Sequence, residues 1–139
     1  MTRPAIDLAP LRNALAVLVE AQQFWQAEPQ QSVLRRHLRS AVIQSFEFTY
    51  ELSVRNLRRV LIERAASADS LIDLSFADLL RRAADAGLLS DPIAWRQWRE
   101  LRNMTSHAYD EATAQEVAVR AGAFATQAAE LLAAMESAG

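Results

Sequence analysis

Cysteine is absent from the 139 residues. Disulfides and thiolate metal sites are therefore excluded, and a reducing compartment is the expectation. Lysine is absent too, so all 15 basic residues are arginine. Genome composition accounts for such a bias, yet it supplies any phosphate site with planar, bidentate donors. Glycine (3) and proline (4) are scarce, and Ala and Leu outnumber the β-branched residues, which favours helix over strand. No apolar run is long enough for a membrane span, and MTRPAIDLAPLRN lacks a basic stretch leading into a signal-peptide core. A cytoplasmic protein with no membrane association is expected. The net charge of −2 creates no global field that would gather a polyanion.

What is present is helical periodicity. Leu8, Leu11, Leu15, Leu18 and Trp25 form one stripe over 8–27, with Asp7 as N-cap and Pro10 in the first turn. A second helix is expected over 32–64, uninterrupted by Gly or Pro. Its stripe runs through Leu34, Leu38, Ala41, Ser45, Phe48 and Leu52, widened by Val42, Phe46, Leu57 and Leu61. Residues 65–75 read as a loop. Ser75 with Asp78 signals the start of a short helix that Gly87 ends. Asp91-Pro92 opens a further helix carrying Trp95, Trp98, Leu101 and Met104 and ending between Ser106 and Tyr109. Thr113-Ala-Gln-Glu116 resembles a capping box before a heptad seam of Val117, Ala121, Phe124, Ala128, Leu131 and Met135. The expectation is a single all-α domain over 1–139, an antiparallel up-and-down four-helix bundle with one additional short helix.

One stretch gathers groups with chemistry: Arg99-Glu-Leu-Arg102-Asn103-Met-Thr105-Ser106-His107-Ala-Tyr109-Asp110. A histidine titrating near neutrality serves as general acid or base. An arginine stabilises charge growing on phosphate, and Asn103 and Ser106 can orient a phosphate or ribose hydroxyl. Together they suit RNA cleavage without metal, through activation of the 2′-hydroxyl. Arg102 and His107 are five residues apart, about 140° around an ideal helix, and would not share a face. Either the helix unwinds near Ser106 or a twofold dimer unites two arginines and two histidines in one cleft.

Glu47 and Glu51 on the second helix are candidates to orient Arg102 or His107, although Glu51 and Arg55 also have the spacing of an ordinary ion pair. A metal site is not expected, because His37 lies ten positions from Glu47. Arg35-Arg36-His37-Leu38-Arg39 reads as a solvated basic face. Trp98 is assigned to the core. Trp95 lies on the Arg99–Arg102 side and is a candidate for substrate or interface contact.

Arg102-Asn103-Met-Thr-Ser-His107-Ala-Tyr109 resembles the Arg-x4-His-x-Tyr pattern of the HEPN family. With Phe46-Glu47-Phe48-Thr49-Tyr50-Glu51-Leu52, the chain looks like the branch called nucleotidyltransferase substrate-binding proteins. The resemblance implies a dimerising four-helix bundle that pairs with a separate minimal nucleotidyltransferase in a toxin–antitoxin module. It implies catalytic roles for Arg102 and His107 in a metal-independent ribonuclease, with Tyr109 as the acceptor of adenylate from the partner. No cofactor is implied. The chain has no Gly-Ser pair followed by spaced Asp residues, so transferase chemistry would come from another chain. Three functions stay open on the residues: a subunit that binds the nucleotide or RNA substrate of the transferase, an active endoribonuclease, and a non-catalytic dimeric scaffold.

Overall fold

The computed structural model describes residues 6–65 and 73–137. The described residues form five α-helices and one 3₁₀ turn, with no strand. α1 is Ala9–Ala27, α2 Val33–Arg64, α3 Phe76–Asp85, α4 Pro92–Met104 and α5 Glu111–Ser137. Thr105–His107 is the 3₁₀ turn. Most of the expected 65–75 loop, residues 66–72, lies outside the described residues.

Cross-helix pairs give the helix directions. Arg12 meets Glu136 at 2.9 Å, and Gln22 donates to the carbonyl of Ala118 at 3.3 Å, so α1 and α5 are antiparallel. Arg39 meets Glu111, and Phe46 meets Phe124, so α2 and α5 run the same way. Trp98 donates to Gln127 at 2.9 Å while a short turn joins the end of α4 to the start of α5. The long elements therefore alternate down, up, down, up, and α3 is the additional short helix.

Local chemistry sets the element ends. Ser32 Oγ accepts from the Leu34 amide, and Ser75 Oγ accepts from that of Asp78. Asp91 caps α4 through the Ala94 amide at 3.1 Å, with Pro92 beginning the helix. α3 closes in a Schellman arrangement: Leu88 N–H reaches the Ala83 carbonyl and Gly87 N–H that of Ala84. Gly87 takes φ +77°, where a side chain would be strained. Two expected caps move. The first residue before α1 is Leu8, with Asp7 accepting from the Ala9 amide. The cap of α5 lies three residues before Thr113, at Asp110, which accepts from both the amide and hydroxyl of Thr113, so the helix starts at Glu111. Those two bonds also hold the Asp110 carboxyl below its usual range, the amide contributing most.

The core follows the expected α5 seam, whose six members are all buried. Along α2 the buried face is rotated from the expected stripe. Val42, Ile43, Phe46, Thr49, Tyr50, Ser53, Leu57, Val60 and Leu61 point inward, whereas Leu34 and Phe48 are 52% and 53% exposed. The inward hydroxyls are satisfied within the helix: Thr49 donates to the Ser45 carbonyl and Ser53 to that of Thr49, each at 2.7 Å. Phe124 is the centre of an aromatic knot with Phe46, Trp95 and Trp98 at 4.9–5.8 Å between centroids, all near edge-on. Trp98 is in the core as expected. Trp95 is there too, only 2% exposed. Its assignment to substrate contact is corrected: the aromatic knot draws both indoles inward, and no face of Trp95 is left for a base.

Candidate functional site

The Arg102–Tyr109 stretch forms the exit from α4. α-Helical bonding stops at Met104, and the chain tightens into the 3₁₀ turn that the Ala108 amide closes on Thr105. Asp110 N–H then bonds the His107 carbonyl before α5 starts. The stretch thus changes direction within six residues and presents its polar side chains at the junction of two helices.

Arg102 points across to α2. Its Nη2 lies 2.7 Å and its Nε 3.3 Å from Glu51 Oε1, and Nη2 is 3.6 Å from Glu47 Oε2. Nη1 donates to Thr105 Oγ1 at 2.9 Å, while that hydroxyl donates to the Arg102 carbonyl at 2.6 Å. Three anchored N–H directions immobilise the guanidinium, and the fork keeps a further Nη1 hydrogen for a ligand oxygen. The pairing of Glu51 with Arg102 replaces the alternative Glu51–Arg55 pair along the helix. Thr105, buried beneath the arginine, was not among the expected site residues; its spacing of three from Arg102 is the only sequence signal.

His107 is exposed, and its Nδ1 lies 3.4 Å from the Tyr109 hydroxyl. The two rings are tilted near edge-on at 6.0 Å. Tyr109 is 85% exposed. Asn103 is exposed, and Ser106 turns its hydroxyl back to the Asn103 carbonyl at 3.0 Å. Within one chain, then, Arg102 and His107 belong to separate hydrogen-bonded groups at the same end of α4. The helix does unwind near Ser106, but this alone does not bring the two side chains into contact.

Tyr50 also belongs to this neighbourhood and was missed. Burial pushes its phenol up to about 12, opposed by the nearby Arg99 and Arg102 charges. Arg99 stacks over Phe76, its guanidinium 4.8 Å from the ring centroid.

The basic run at the start of α2 is only partly the solvated face expected. Arg36 and His37 are exposed. Arg35 stacks 4.9 Å over Trp25 and donates to the carbonyls of Trp25 and Glu28. Arg39 is buried and forms a two-pronged pair with Glu111 at 2.6 and 2.8 Å. That pair raises the Arg39 pKa and lowers that of Glu111. Among the described residues no three His, Asp or Glu side chains form a metal-binding group, and no helix is long and apolar enough to cross a membrane.

Comparison with known proteins gives a consistent set of likenesses. The family described as nucleotidyltransferase substrate binding protein like matches residues 6–137. A Haemophilus influenzae protein named "Probable ribonuclease HepT" is 37% identical over 103 residues, 74% of this chain and 70% of the relative. A solved Haemophilus influenzae structure, described as the fold of a substrate binding domain of a nucleotidyltransferase, superposes with a TM-score of 0.85. It is 31% identical, with 94% of this chain and 99% of that one covered.

Proposed function

We propose that this chain, which belongs to the nucleotidyltransferase substrate binding protein like family, is the RNA-binding and RNA-cleaving subunit of a two-protein module. The second protein is a separate minimal nucleotidyltransferase, and the pair acts as toxin and antitoxin. The observation that carries the reading is the immobilised Arg102, held by Glu51, Glu47 and Thr105 one turn before an exposed His107–Tyr109 pair. A guanidinium fixed on three sides is organised before an anion arrives, which is what stabilising a developing phosphorane charge demands. The name of the Haemophilus influenzae relative supports the same chemistry.

The active form is a homodimer. Leu34, Ala41 and Phe48 recur every seven residues on the outer face of α2 and are exposed, the pattern of a seam that awaits a partner helix. A second copy on this face lies next to Glu47 and Glu51, and so next to Arg102. In that cleft one His107 takes the proton of the ribose 2′-hydroxyl. The 2′-oxygen bonds to phosphorus, and Arg102 stabilises the added negative charge. The bond from phosphorus to the 5′-oxygen then breaks, with that oxygen protonated by His107 of the partner subunit. The products are a 2′,3′-cyclic phosphate and a 5′-hydroxyl, and solvent resets the two imidazoles. Asn103 and Ser106 contact the phosphate or ribose.

The test is cleavage of single-stranded RNA by purified protein in EDTA. Arg102→Ala and His107→Ala are each expected to lose about 10²-fold or more of the rate. Cleavage that continues undiminished in both variants removes the site. If His107→Ala leaves cleavage intact and only weakens the dimer in analytical ultracentrifugation, the motif is a scaffold instead. The exposure of Tyr109 supports its role as adenylate acceptor: with the transferase and ATP the wild type should gain adenylate and Tyr109→Phe should not.

A further inference from the structure

Beyond the Arg102 cluster, α2 continues with a second arginine-rich face. Val54, Arg55, Arg58, Arg59 and Ile62 follow Glu51 at intervals that keep them on one side of the helix. With Tyr50 they line an open groove of ≈ 480 Å³, within the range of about 300–1,000 Å³ usual for small-ligand sites. The floor is apolar, made by Tyr50, Val54 and Ile62, all packed on the core. The rim is cationic. Arg55 and Arg59 are exposed, and neither has an ion pair or hydrogen bond among the described residues. Arg58 donates to the Leu74 carbonyl at 3.4 Å and so serves the fold. The one carboxylate lining the groove, Glu51, is already engaged by Arg102.

The groove is therefore continuous with the Arg102 cluster and shares a residue with it. Positions 51, 55 and 59 step along α2 by about 6 Å each. Arg102 at the level of Glu51, then Arg55, then Arg59 make a ladder of cations whose rungs are about one nucleotide apart. The cleft at the opposite end of α2 offers less. There Arg35 is held by main-chain carbonyls and Arg39 by Glu111.

We propose that the Tyr50–Ile62 groove is a binding subsite for single-stranded RNA, with Arg55 and Arg59 on successive phosphates and the apolar floor against unpaired bases. It rests on the reading of Arg102 and His107 as the groups that act on RNA, and extends it by naming what holds the strand beside the scissile bond. A duplex would not use the floor, because its bases are already stacked and paired. An unpaired strand offers π-faces to apolar and aromatic side chains and phosphates to the rim.

The experiment is fluorescence anisotropy of a labelled single-stranded RNA on the full-length His107→Ala protein, which keeps the probe intact. Arg55→Ala and Arg59→Ala should each weaken binding by about tenfold, the lower end of what one charge-assisted contact contributes. Each should also flatten the slope of log affinity against log salt by about 0.7. Arg12→Ala, on α1, serves as the charge control and should change neither quantity. Unchanged affinity and slope in both groove variants overturn the proposal, as does an equal loss in Arg12→Ala. With His107 restored, Arg55→Ala should raise KM for cleavage and spare kcat; a fall in kcat alone also overturns it. Tighter binding of free ATP than of the strand, with the same arginine dependence, would replace the strand by a mononucleotide and refute the assignment. The two readings fail separately. Arginine-dependent RNA binding without Arg102- and His107-dependent cleavage sinks the catalytic reading alone, and the reverse outcome sinks the groove alone.

Discussion

Replacing Phe124 tests the packing that places the site. The Phe124 ring has no exposed surface and meets Phe46 at 4.9 Å, Trp95 at 5.7 Å and Trp98 at 5.8 Å, so it ties α2, α4 and α5 together. Truncation of a buried Phe to Ala costs about 3–5 kcal/mol through lost transfer energy and an unfilled cavity. Edge-to-face pairs add about 0.5–1.5 kcal/mol each beyond area, and three of them here place Phe124→Ala near 4.5 kcal/mol on that scale. Phe124→Leu keeps most of the apolar volume and loses the ring edges, for about 2 kcal/mol. With about 2.1 cal/mol/K of unfolding entropy per residue, the alanine variant should melt about 15 °C lower. Urea unfolding followed by far-UV ellipticity is the suitable assay, because the substitution itself would alter the fluorescence of the adjacent Trp95 and Trp98. An alanine variant within about 2 kcal/mol of wild type, or a leucine variant as unstable as alanine, would refute the claim that ring geometry organises this core.

Gly87→Ala should cost about 1–2 kcal/mol in urea unfolding from backbone conformation alone, since a Cβ there meets nothing within 4 Å; a neutral result would mean that the Schellman turn readily rearranges. Acid sensitivity should be partly due to Glu111. Its carboxyl is held below the ordinary 4.5 by Arg39, so the pair stabilises the fold above that value and its contribution is lost as pH falls through the lowered pKa. Glu111→Gln should therefore show a shallower decline of urea midpoint on acidification than wild type, with Asp110 supplying the residual slope in both; parallel curves would exclude the linkage. Tyr50 gives the opposite, alkaline case. Its phenol is raised from 10 to about 12 by burial, so its contribution to stability is intact below 10 and lost as pH rises toward 12. Tyr50→Phe should be less sensitive to alkali, by about 1 kcal/mol at pH 11. Equal alkaline losses in the two proteins would show that the phenol ionises as freely when folded as when unfolded.

Much of this protein was legible as one-dimensional chemistry. Ser75, Gly87 and Asp91-Pro92 mark element ends because capping acts over three or four residues, within reach of the local sequence. The α5 seam was legible because its alternation of four and three has a single apolar phase. The Arg102–His107 stretch was conspicuous because polar, titratable side chains concentrate there. Tertiary structure decided the matters in which two local answers were equally good. α2 carries two neighbouring apolar stripes, and only the aromatic knot around Phe124 selected the one through Phe46, leaving Phe48 outside. The same knot took Trp95 inward. Glu51 had Arg55 one turn away, but the arrival of α4 offered an arginine already braced by Thr105. Asp110 displaced Thr113 as the cap of α5 because the preceding turn delivers its carboxylate to two donors at once. Periodicity states which faces a helix possesses; which of them is covered, and which charge finds which partner, depends on neighbours distant in the chain.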